Sequence, residues 1–189
     1  CSTDSTMIAK CAQELGLEVP FIRPDELAED CSGITDVIIH ALDFFSSQNI
    51  KFSHVALVQA TSPTVMAKDI DQAVEIALRD DADTVFTGYR ASSSHPGLMY
   101  SINPSGDVSW LLKEGLHEKR RQEFQQVFIR TGLVYVVKVE VIKKSNSIYG
   151  SKLRSIEIPE NRALTIDEKH DLDWASFLFE NNPLLTFGS

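Results

Sequence analysis

The sequence predicts an α/β domain with a mostly parallel sheet and flanking helices. Residues 55–58 form an apolar run without polar alternation, which is typical of a parallel strand covered on both faces. Around that run, helical and extended segments alternate in the order helix, helix, strand, helix, strand, with short connections. The 189 residues are enough for one domain with a sizeable core.

Each element of that alternation has its own signal. The first helix starts near Ser5 and stops at Gly16, and Ser32 can cap the second helix. The clearest helix opens at Asp69, because apolar residues then recur at positions i, i+3, i+4, i+7 and i+8. Residues 83–89 follow as the next strand, which completes the alternation.

The pattern changes after Arg90. Extended runs at residues 98–102 and 108–112 flank an Asn-Pro-Ser-Gly turn, which predicts a hairpin. A charged stretch follows at residues 113–126, so we expect residues 90–126 to leave the core as an inserted arm. The remaining elements are a strand at residues 128–137, a short helix at 139–144, a strand at 154–158 and a closing helix at 166–179 that carries Leu172, Ala175 and Phe179 inward.

Composition bounds the class of protein. The chain is 43% hydrophobic and 24% charged, which are values of a globular domain. A net charge of -9 argues against a protein that coats nucleic acid without sequence preference, but it is compatible with the binding of a small anionic substrate. The three cysteines are an odd number without metal-type spacing, so we expect a reducing, cytoplasmic location. No apolar run approaches the length of a membrane helix, and we expect neither a membrane nor a nucleic-acid partner.

Polar residues follow the central strand directly. Gln59, Thr61 and Ser62 carry amide and hydroxyl groups that can form hydrogen bonds with the polar edge of a ligand or with phosphate oxygens. In open α/β sheets, ligands bind outside the carboxyl ends of the strands. The sequence therefore places a candidate site here, and an ordinary Ser-Pro turn is the alternative.

Charged residues elsewhere are weaker candidates. Asp167 lies between a predicted strand and the last helix, where a carboxylate can hold Mg²⁺ against phosphates; a helix cap is the alternative. Arg121 and Gln122 could bind an anion, although a solvated charge run is the more common explanation of residues 119–121. Arg23 could also be a surface loop residue, and we interpret His95 and His170 as structural residues.

Five segments, in order along the chain, resemble motifs of the acylneuraminate cytidylyltransferases. The segments are residues 2–5 with Ile8 (S-T-D-x-x-x-I), 21–24 with Leu27 (F-x-R-P-x-x-L), 57–63 (L-L-Q-P-T-S-P), 121–122 through Gly132 and Tyr135 (R-Q…N-G-x-x-Y), and 166–167 with 171–172 (D-I-D…D-L). The match spans nearly the whole chain, and its most specific part is residues 59–63.

The resemblance implies a Rossmann-like nucleotidyltransferase of the nucleotide-diphospho-sugar transferase type. The anomeric hydroxyl of a nine-carbon keto-sugar acid of the sialic acid type attacks the α-phosphorus of CTP, and CMP-sugar and pyrophosphate form. Mg²⁺ or Mn²⁺ neutralises the charge on the phosphates. The arm at residues 90–126 would build a homodimer.

The resemblance also implies roles for single residues. Asp167 and Arg121 would be catalytic, and Asp167 would hold the metal. The implied nucleotide-binding residues are Arg23, Ser32 and Thr35. The implied sugar-binding residues are Gln59, Thr61, Arg121, Gln122 and Thr131.

The chain departs from the family pattern in ways that leave the base and the sugar open. Thr165, Thr131 and Ala60 stand where the family has a metal carboxylate, an Asn and a Pro. The family's first strand and glycine-rich basic loop, A-x-I-P-A-R-x-G-S-K, precede the point where residues 1–189 begin, so we expect these residues alone to turn over CTP slowly or not at all. GTP with legionaminic acid, pseudaminic acid or an 8-amino-octulosonate are alternatives, and an inactive binding or scaffold protein is another.

Overall fold

The computed structural model describes residues 1–29, 31–112, 123 and 125–182. The helices of this part are α1 (Thr6–Glu14), α2 (Ile34–Ser47), α3 (Ala67–Arg79), α4 (Val139–Ser145) and α5 (Lys169–Asn181). The strands are β1 (His54–Leu57), β2 (Thr84–Arg90), β3 (Tyr100–Ile102), β4 (Val108–Trp110), β5 (Phe128–Lys138) and β6 (Leu153–Glu157). Within these described residues, no helix combines the length and the apolar character that crossing a bilayer requires.

The main sheet has the strand order β1-β5-β2-β6. β5 runs antiparallel to β1 and to β2, whereas β2 and β6 are parallel. Therefore β1, β2 and β6 point in one direction and end at one edge of the sheet, which we call the carboxyl edge. The predicted α/β class is confirmed. β5 runs the other way because the chain enters it from the arm rather than through a crossover helix.

Helices cover both faces of this sheet. On one face, α3 lies against the strands through Ala73 and Ala77, whose small side chains are fully buried and allow a close approach. On the other face, α2 and α4 pack against Tyr135 and Val137 of β5. Because β5 is covered on both faces, it is the centre of the core, and residues 133–137 are all buried.

Two local predictions were wrong. Leu172, expected to point inward, is 53% exposed, since Ala175 is the only residue of α5 that is buried and the helix lies on the domain along a narrow strip. Ser32 does not cap α2. The N-cap is Gly33, and the Ser32 hydroxyl donates instead to the carbonyl oxygen of Glu26 at 2.8 Å, within the preceding turn.

The predicted hairpin is present and stands apart from the main sheet. β3 and β4 pair only with each other among the described residues, with Tyr100 opposite Trp110. Asn103 organises the turn, because its Oδ1 accepts backbone N–H groups of Ser105 and Asp107. The apolar side chains of both strands are exposed. Most of the charged stretch that follows, residues 113–122, lies outside the described residues.

A buried ion pair ties the loop after β1 to the loop after β6. The terminal nitrogens Nη1 and Nη2 of the Arg162 guanidinium donate to Asp69, at 2.8 and 2.9 Å, and Arg162 and Asp69 are only 8% and 3% exposed. Asp69 also accepts the backbone N–H of Met66 at 3.0 Å, which caps α3. The Thr64 hydroxyl donates to the carbonyl oxygen of Arg162 at 2.6 Å. The two loops are therefore held together by charge and by hydrogen bonds.

We predict that Arg162→Met destabilises the fold strongly. The substitution leaves the Asp69 carboxylate buried without a countercharge, and breaking a buried pair in this way costs about 3–5 kcal/mol. Urea unfolding followed by circular dichroism measures the loss in the free energy of unfolding.

The matched control is Arg154→Met, which removes a guanidinium that pairs with Asp80 at the surface. We expect a much smaller change there, because solvent screens exposed ion pairs. Equal losses for Arg162→Met and Arg154→Met would show that the buried pair contributes nothing special to stability.

Candidate functional site

The loops that meet at the carboxyl edge form the candidate site, which we call the carboxyl-edge site and define by Gln59, Thr61, Gly132 and Asp167. The loop after β1 supplies Gln59 and Thr61, the loop after β6 supplies Asp167, and β5 supplies Gly132. The backbone N–H of Ile166 donates to the carbonyl oxygen of Thr61 at 2.8 Å, so the two loops run side by side. The structure thus brings together the residues that the sequence placed at strand ends.

A wide bulge in β5 shapes the middle of this site. Phe86 lies opposite Tyr135 but Gly88 lies opposite Arg130, so residues 131–134 all stand opposite the single residue Thr87. The Thr87 hydroxyl holds both ends of the bulge. It lies 2.7 Å from the hydroxyl of Thr131, and it accepts the backbone N–H of Val134 at 3.3 Å.

The bulge presents Gly132 to Gln59. A Cβ atom at position 132 would lie 2.0 Å from Oε1 of Gln59, so the Gln59 side chain rests directly on the glycine backbone. Sequence reasoning noted Gly132 inside a strand without assigning it this contact. The available signal was the glycine itself, because a glycine inside a strand often marks a bulge or a close approach.

Asp167 reaches the site with its carboxylate free. α5 begins with Glu168 as N-cap, and Asp171 accepts the backbone N–H groups of Asp167 and Glu168 at 3.0 and 2.8 Å. These two N–H groups, that of Glu168 foremost, lower the pKa of the Asp171 carboxyl. The helix-cap interpretation of Asp167 was therefore wrong. Its exposed side chain makes no hydrogen bond or ion pair with the described residues.

A lone carboxylate of this kind suits one type of metal site. Among the described residues, no three His, Cys, Asp or Glu side chains cluster in a way that would hold a metal ion by themselves. Mg²⁺ is usually bound by one or two carboxylates, with water and substrate phosphates completing its shell. Asp167 fits that role, and Thr165 beside it adds no negative charge.

Arg23 is held at the start of the domain rather than in a free surface loop. Its backbone N–H donates to the carbonyl oxygen of Thr3 at 2.8 Å, and its guanidinium donates to Asp4 at 3.1 Å. Its Nε is buried without a hydrogen-bond partner in the described part of the chain. A buried donor left unpaired is unusual in a folded protein.

The other predicted nucleotide-binding residues lie at the beginning of α2. Thr35 is buried in the first turn of the helix, and Ser32 lies in the turn before it. Ile34 and Val58, at the ends of α2 and β1, line one groove together with Ser2. The start of α2 is therefore near the carboxyl edge.

The predicted sugar-binding residues are distributed differently. Gln59 and Thr61 lie in the carboxyl-edge site, and Thr61 is exposed. Thr131 is buried, and its hydroxyl is bound to Thr87. Arg121 and Gln122 lie outside the described residues, so their roles stay predictions.

Sequence reasoning missed the ion pair that assembles the site. It interpreted Asp69 only as a helix-opening residue and did not consider Arg162. No local signal identifies Arg162, because the loop containing it has the composition of an ordinary polar turn. The Ser62 hydroxyl, also part of this region, is buried without a partner among the described residues.

Comparison with known proteins identifies relatives of one kind. No protein-family model matches the chain. Pseudaminic acid cytidylyltransferase from Campylobacter jejuni is 24% identical over 181 residues, covering 96% of this chain and 77% of that protein. CMP-N,N'-diacetyllegionaminic acid synthase from Legionella pneumophila is 28% identical, covering 92% and 73%. N-acylneuraminate cytidylyltransferase A from Danio rerio is 29% identical, covering 92% of this chain and 38% of that longer protein.

Solved structures confirm the fold. CMP:2-keto-3-deoxy-manno-octonic acid synthetase, determined in complex with CTP, superposes with a TM-score of 0.65 at 12% identity, covering 95% of this chain and 79% of that one. The fold is therefore that of the nucleotidyltransferase α/β domains. In sequence, the chain is similar to enzymes named for pseudaminic, N,N'-diacetyllegionaminic and N-acylneuraminic acids, and the resemblance seen in the sequence is confirmed.

We predict that Gly132→Ala is tolerated by the fold but displaces Gln59. The clash is with the far end of a flexible side chain, which can rotate away. The free energy of unfolding should change by less than about 1 kcal/mol. The side-chain amide resonance of Gln59 in a ¹⁵N-correlated NMR spectrum should shift.

Gly150→Ala provides the contrast. A Cβ atom there would lie 2.3 Å from the Cβ of Asp83, and a side-chain rotation cannot relieve that contact. We expect a loss of about 1–3 kcal/mol, as for overpacked sites. If Gly132→Ala were as destabilising as Gly150→Ala, the glycine would be required by the fold and not by Gln59.

Proposed function

We propose that this protein is a nucleotidyltransferase that activates a keto-sugar acid of the sialic acid type with CTP, giving CMP-sugar and pyrophosphate. One observation carries the proposal. Relatives named for three different sugar acids align with more than nine-tenths of the chain, and the matching residues Gln59 and Asp167 lie at one edge of the sheet. That edge is where open α/β sheets bind ligands.

The reaction needs positioning more than covalent help from the protein. The anomeric hydroxyl loses its proton to solvent water and forms a bond to the α-phosphorus, while the bond from that phosphorus to the bridging oxygen breaks and pyrophosphate leaves with that oxygen. Gln59 would orient the sugar acid with its side-chain amide, because the contact with Gly132 fixes where that amide lies. Arg23 would supply positive charge toward the nucleotide.

Asp167 is the residue that would hold the metal. When bound, Mg²⁺ or Mn²⁺ would neutralise negative charge on the phosphates. The Asp167 carboxylate is available for this because Glu168 is the N-cap of α5 and Asp171 completes the capping box, so Asp167 is not used as a cap. Its place beside Thr61 brings the carboxylate to the same edge as Gln59. Arg121 and Gln122 would act on the sugar acid from the arm.

Pyrophosphate release by the full-length protein tests the proposal. CTP, GTP, ATP and UTP are each combined with N-acetylneuraminic acid, pseudaminic acid and N,N'-diacetyllegionaminic acid. We expect release with CTP and at least one of the acids. Release with GTP alone would favour the alternative base. No release in any combination would contradict the proposal and favour a scaffold role.

Asp167→Asn should lower turnover by about 10²- to 10³-fold, because the metal's stabilisation of the phosphates amounts to several kcal/mol. Excess Mg²⁺ should restore part of the activity. The fold should remain intact, since the carboxylate has no partner among the described residues. Steady-state rates at several Mg²⁺ concentrations measure the effect.

Asp173→Asn is the matched control, because Asp173 is an exposed carboxylate on α5. It should turn over substrate like the wild type. Unchanged turnover in Asp167→Asn, or equal losses in both variants, would show that Asp167 does not hold the metal.

We also propose that the protein is a homodimer built through the arm. A two-stranded hairpin is marginally stable alone, yet β3 and β4 expose Tyr100, Ile102, Val108 and Trp110. Apolar patches of this kind usually mark an interface.

We predict a dimer mass by light scattering at micromolar concentration. Ile102→Asp, at 62% exposure, should shift that mass toward the monomer, because a charge placed in an apolar interface is not solvated. A wild-type monomer at this concentration would contradict the interface.

A cytoplasmic location completes the proposal. The cysteines Cys1, Cys11 and Cys31 are all free and exposed. Free exposed thiols persist in a reducing compartment. Alkylation of all three in freshly lysed cells would support that location.

A further inference from the structure

An arginine that the sequence did not single out flanks the β5 bulge that carries Gly132. Arg130 and Tyr135 stand at the two ends of the β5 bulge, on either side of Gly132. Tyr135 lies opposite Leu57 of β1 and packs on the α2 face of the sheet. The Arg130 guanidinium contacts Tyr135, at one end of the bulge, and Gln59 contacts Gly132 within it.

The guanidinium of Arg130 has only neutral partners in the described part of the chain. Its Nη1 donates to the hydroxyls of both Tyr135 and Tyr149. The guanidinium carbon lies 5.7 Å and 5.5 Å from the centres of these two rings. No carboxylate of the described residues pairs with it. A positive charge is thus held in place, with Nε and Nη2 free to donate.

The second tyrosine is itself fixed by its backbone. The Thr84 hydroxyl donates to the carbonyl oxygen of Ile148 at 2.8 Å and accepts the N–H of Gly150 at 3.2 Å, so both neighbours of Tyr149 are anchored on β2. The N–H of Tyr149 donates to Ser147 at 3.0 Å. Burial, and then the hydrogen bond with Tyr135, raise the pKa of the Tyr149 hydroxyl.

We propose that Arg130 binds the carboxylate of the sugar acid and that Tyr149 is the positioning residue that aims its guanidinium. This inference rests on the proposed function. A carboxylate has two oxygens in one plane, which match the free Nε–Nη2 side of the guanidinium. Gln59, the residue proposed to meet the sugar acid, lines the same bulge. Asp167, proposed for the phosphates, lies instead in the loop beside Thr61.

Binding of each sugar acid and of its methyl ester tests this assignment without requiring turnover. Affinities for the full-length protein are measured by saturation-transfer NMR in the presence of CMP. Wild type should prefer the acid to the ester by about 10- to 100-fold, the range for hydrogen bonds to charged groups. Arg130→Met should bind acid and ester equally. Tyr149→Phe should show an intermediate preference, with a raised KM for the sugar acid and an unchanged KM for CTP.

Arg79→Met is the matched control, because it removes an exposed guanidinium on α3, paired with Asp80. Its acid preference should equal that of the wild type. An acid preference in Arg130→Met equal to that of the wild type would overturn the inference, as would a wild type that binds acid and ester alike or binds neither. Pyrophosphate release is recorded in parallel. A wild type that prefers the acid but releases no pyrophosphate would overturn the proposed function and leave the carboxylate site standing.

Discussion

The buried ion pair between Asp69 and Arg162 is the interaction on which the carboxyl-edge site depends. Burying either charge alone would be costly, so each residue is stable in the interior only with its partner. Asp69 belongs to the first turn of α3, which follows the loop after β1, and Arg162 belongs to the loop after β6. Their pairing holds side by side two loops that are separated by about half the length of the chain. The hydrogen bond from Ile166 to Thr61, and with it the place of Asp167, follows from that pairing.

The bulge in β5 is the second feature on which the site depends. Because of it, the site is shaped by the β5 backbone as well as by side chains. A regular strand would carry alternate side chains to opposite faces and leave no recess. Here Thr87 holds a run of four residues away from the ladder, so Gly132 can receive Gln59. The same bulge separates Arg130 from Tyr135 while leaving their side chains in contact. The bulge therefore helps to position both the side-chain amide of Gln59 and the guanidinium of Arg130.

Local patterns predicted most elements, and pairing between distant residues accounts for what they missed. The apolar run at residues 55–58 and the stripe of α3 are set by neighbours in sequence, so β1 and α3 were predicted near their observed bounds. The reversed direction of β5 was not predicted, because strand direction depends on the route of the arm. Arg162 had no signal for the same reason, because Asp69 lies 93 residues away, and of the two partners of Arg130 only Tyr135 is near in sequence, whereas Tyr149 lies 19 residues away. Asp167 was placed at the correct edge, because a chain leaving a parallel strand emerges there.

Isotopic labelling of the anomeric oxygen tests the central claim, which is that this site joins a keto-sugar acid to the α-phosphorus of CTP. The full-length protein is given CTP and a sugar acid with ¹⁸O in the anomeric hydroxyl, and the products are analysed by mass spectrometry and ³¹P NMR. The account predicts that the label is retained in the bridge between sugar and phosphorus of a CMP-sugar, with unlabelled pyrophosphate. Label in the pyrophosphate, or CTP consumed without any labelled CMP-sugar, would contradict it.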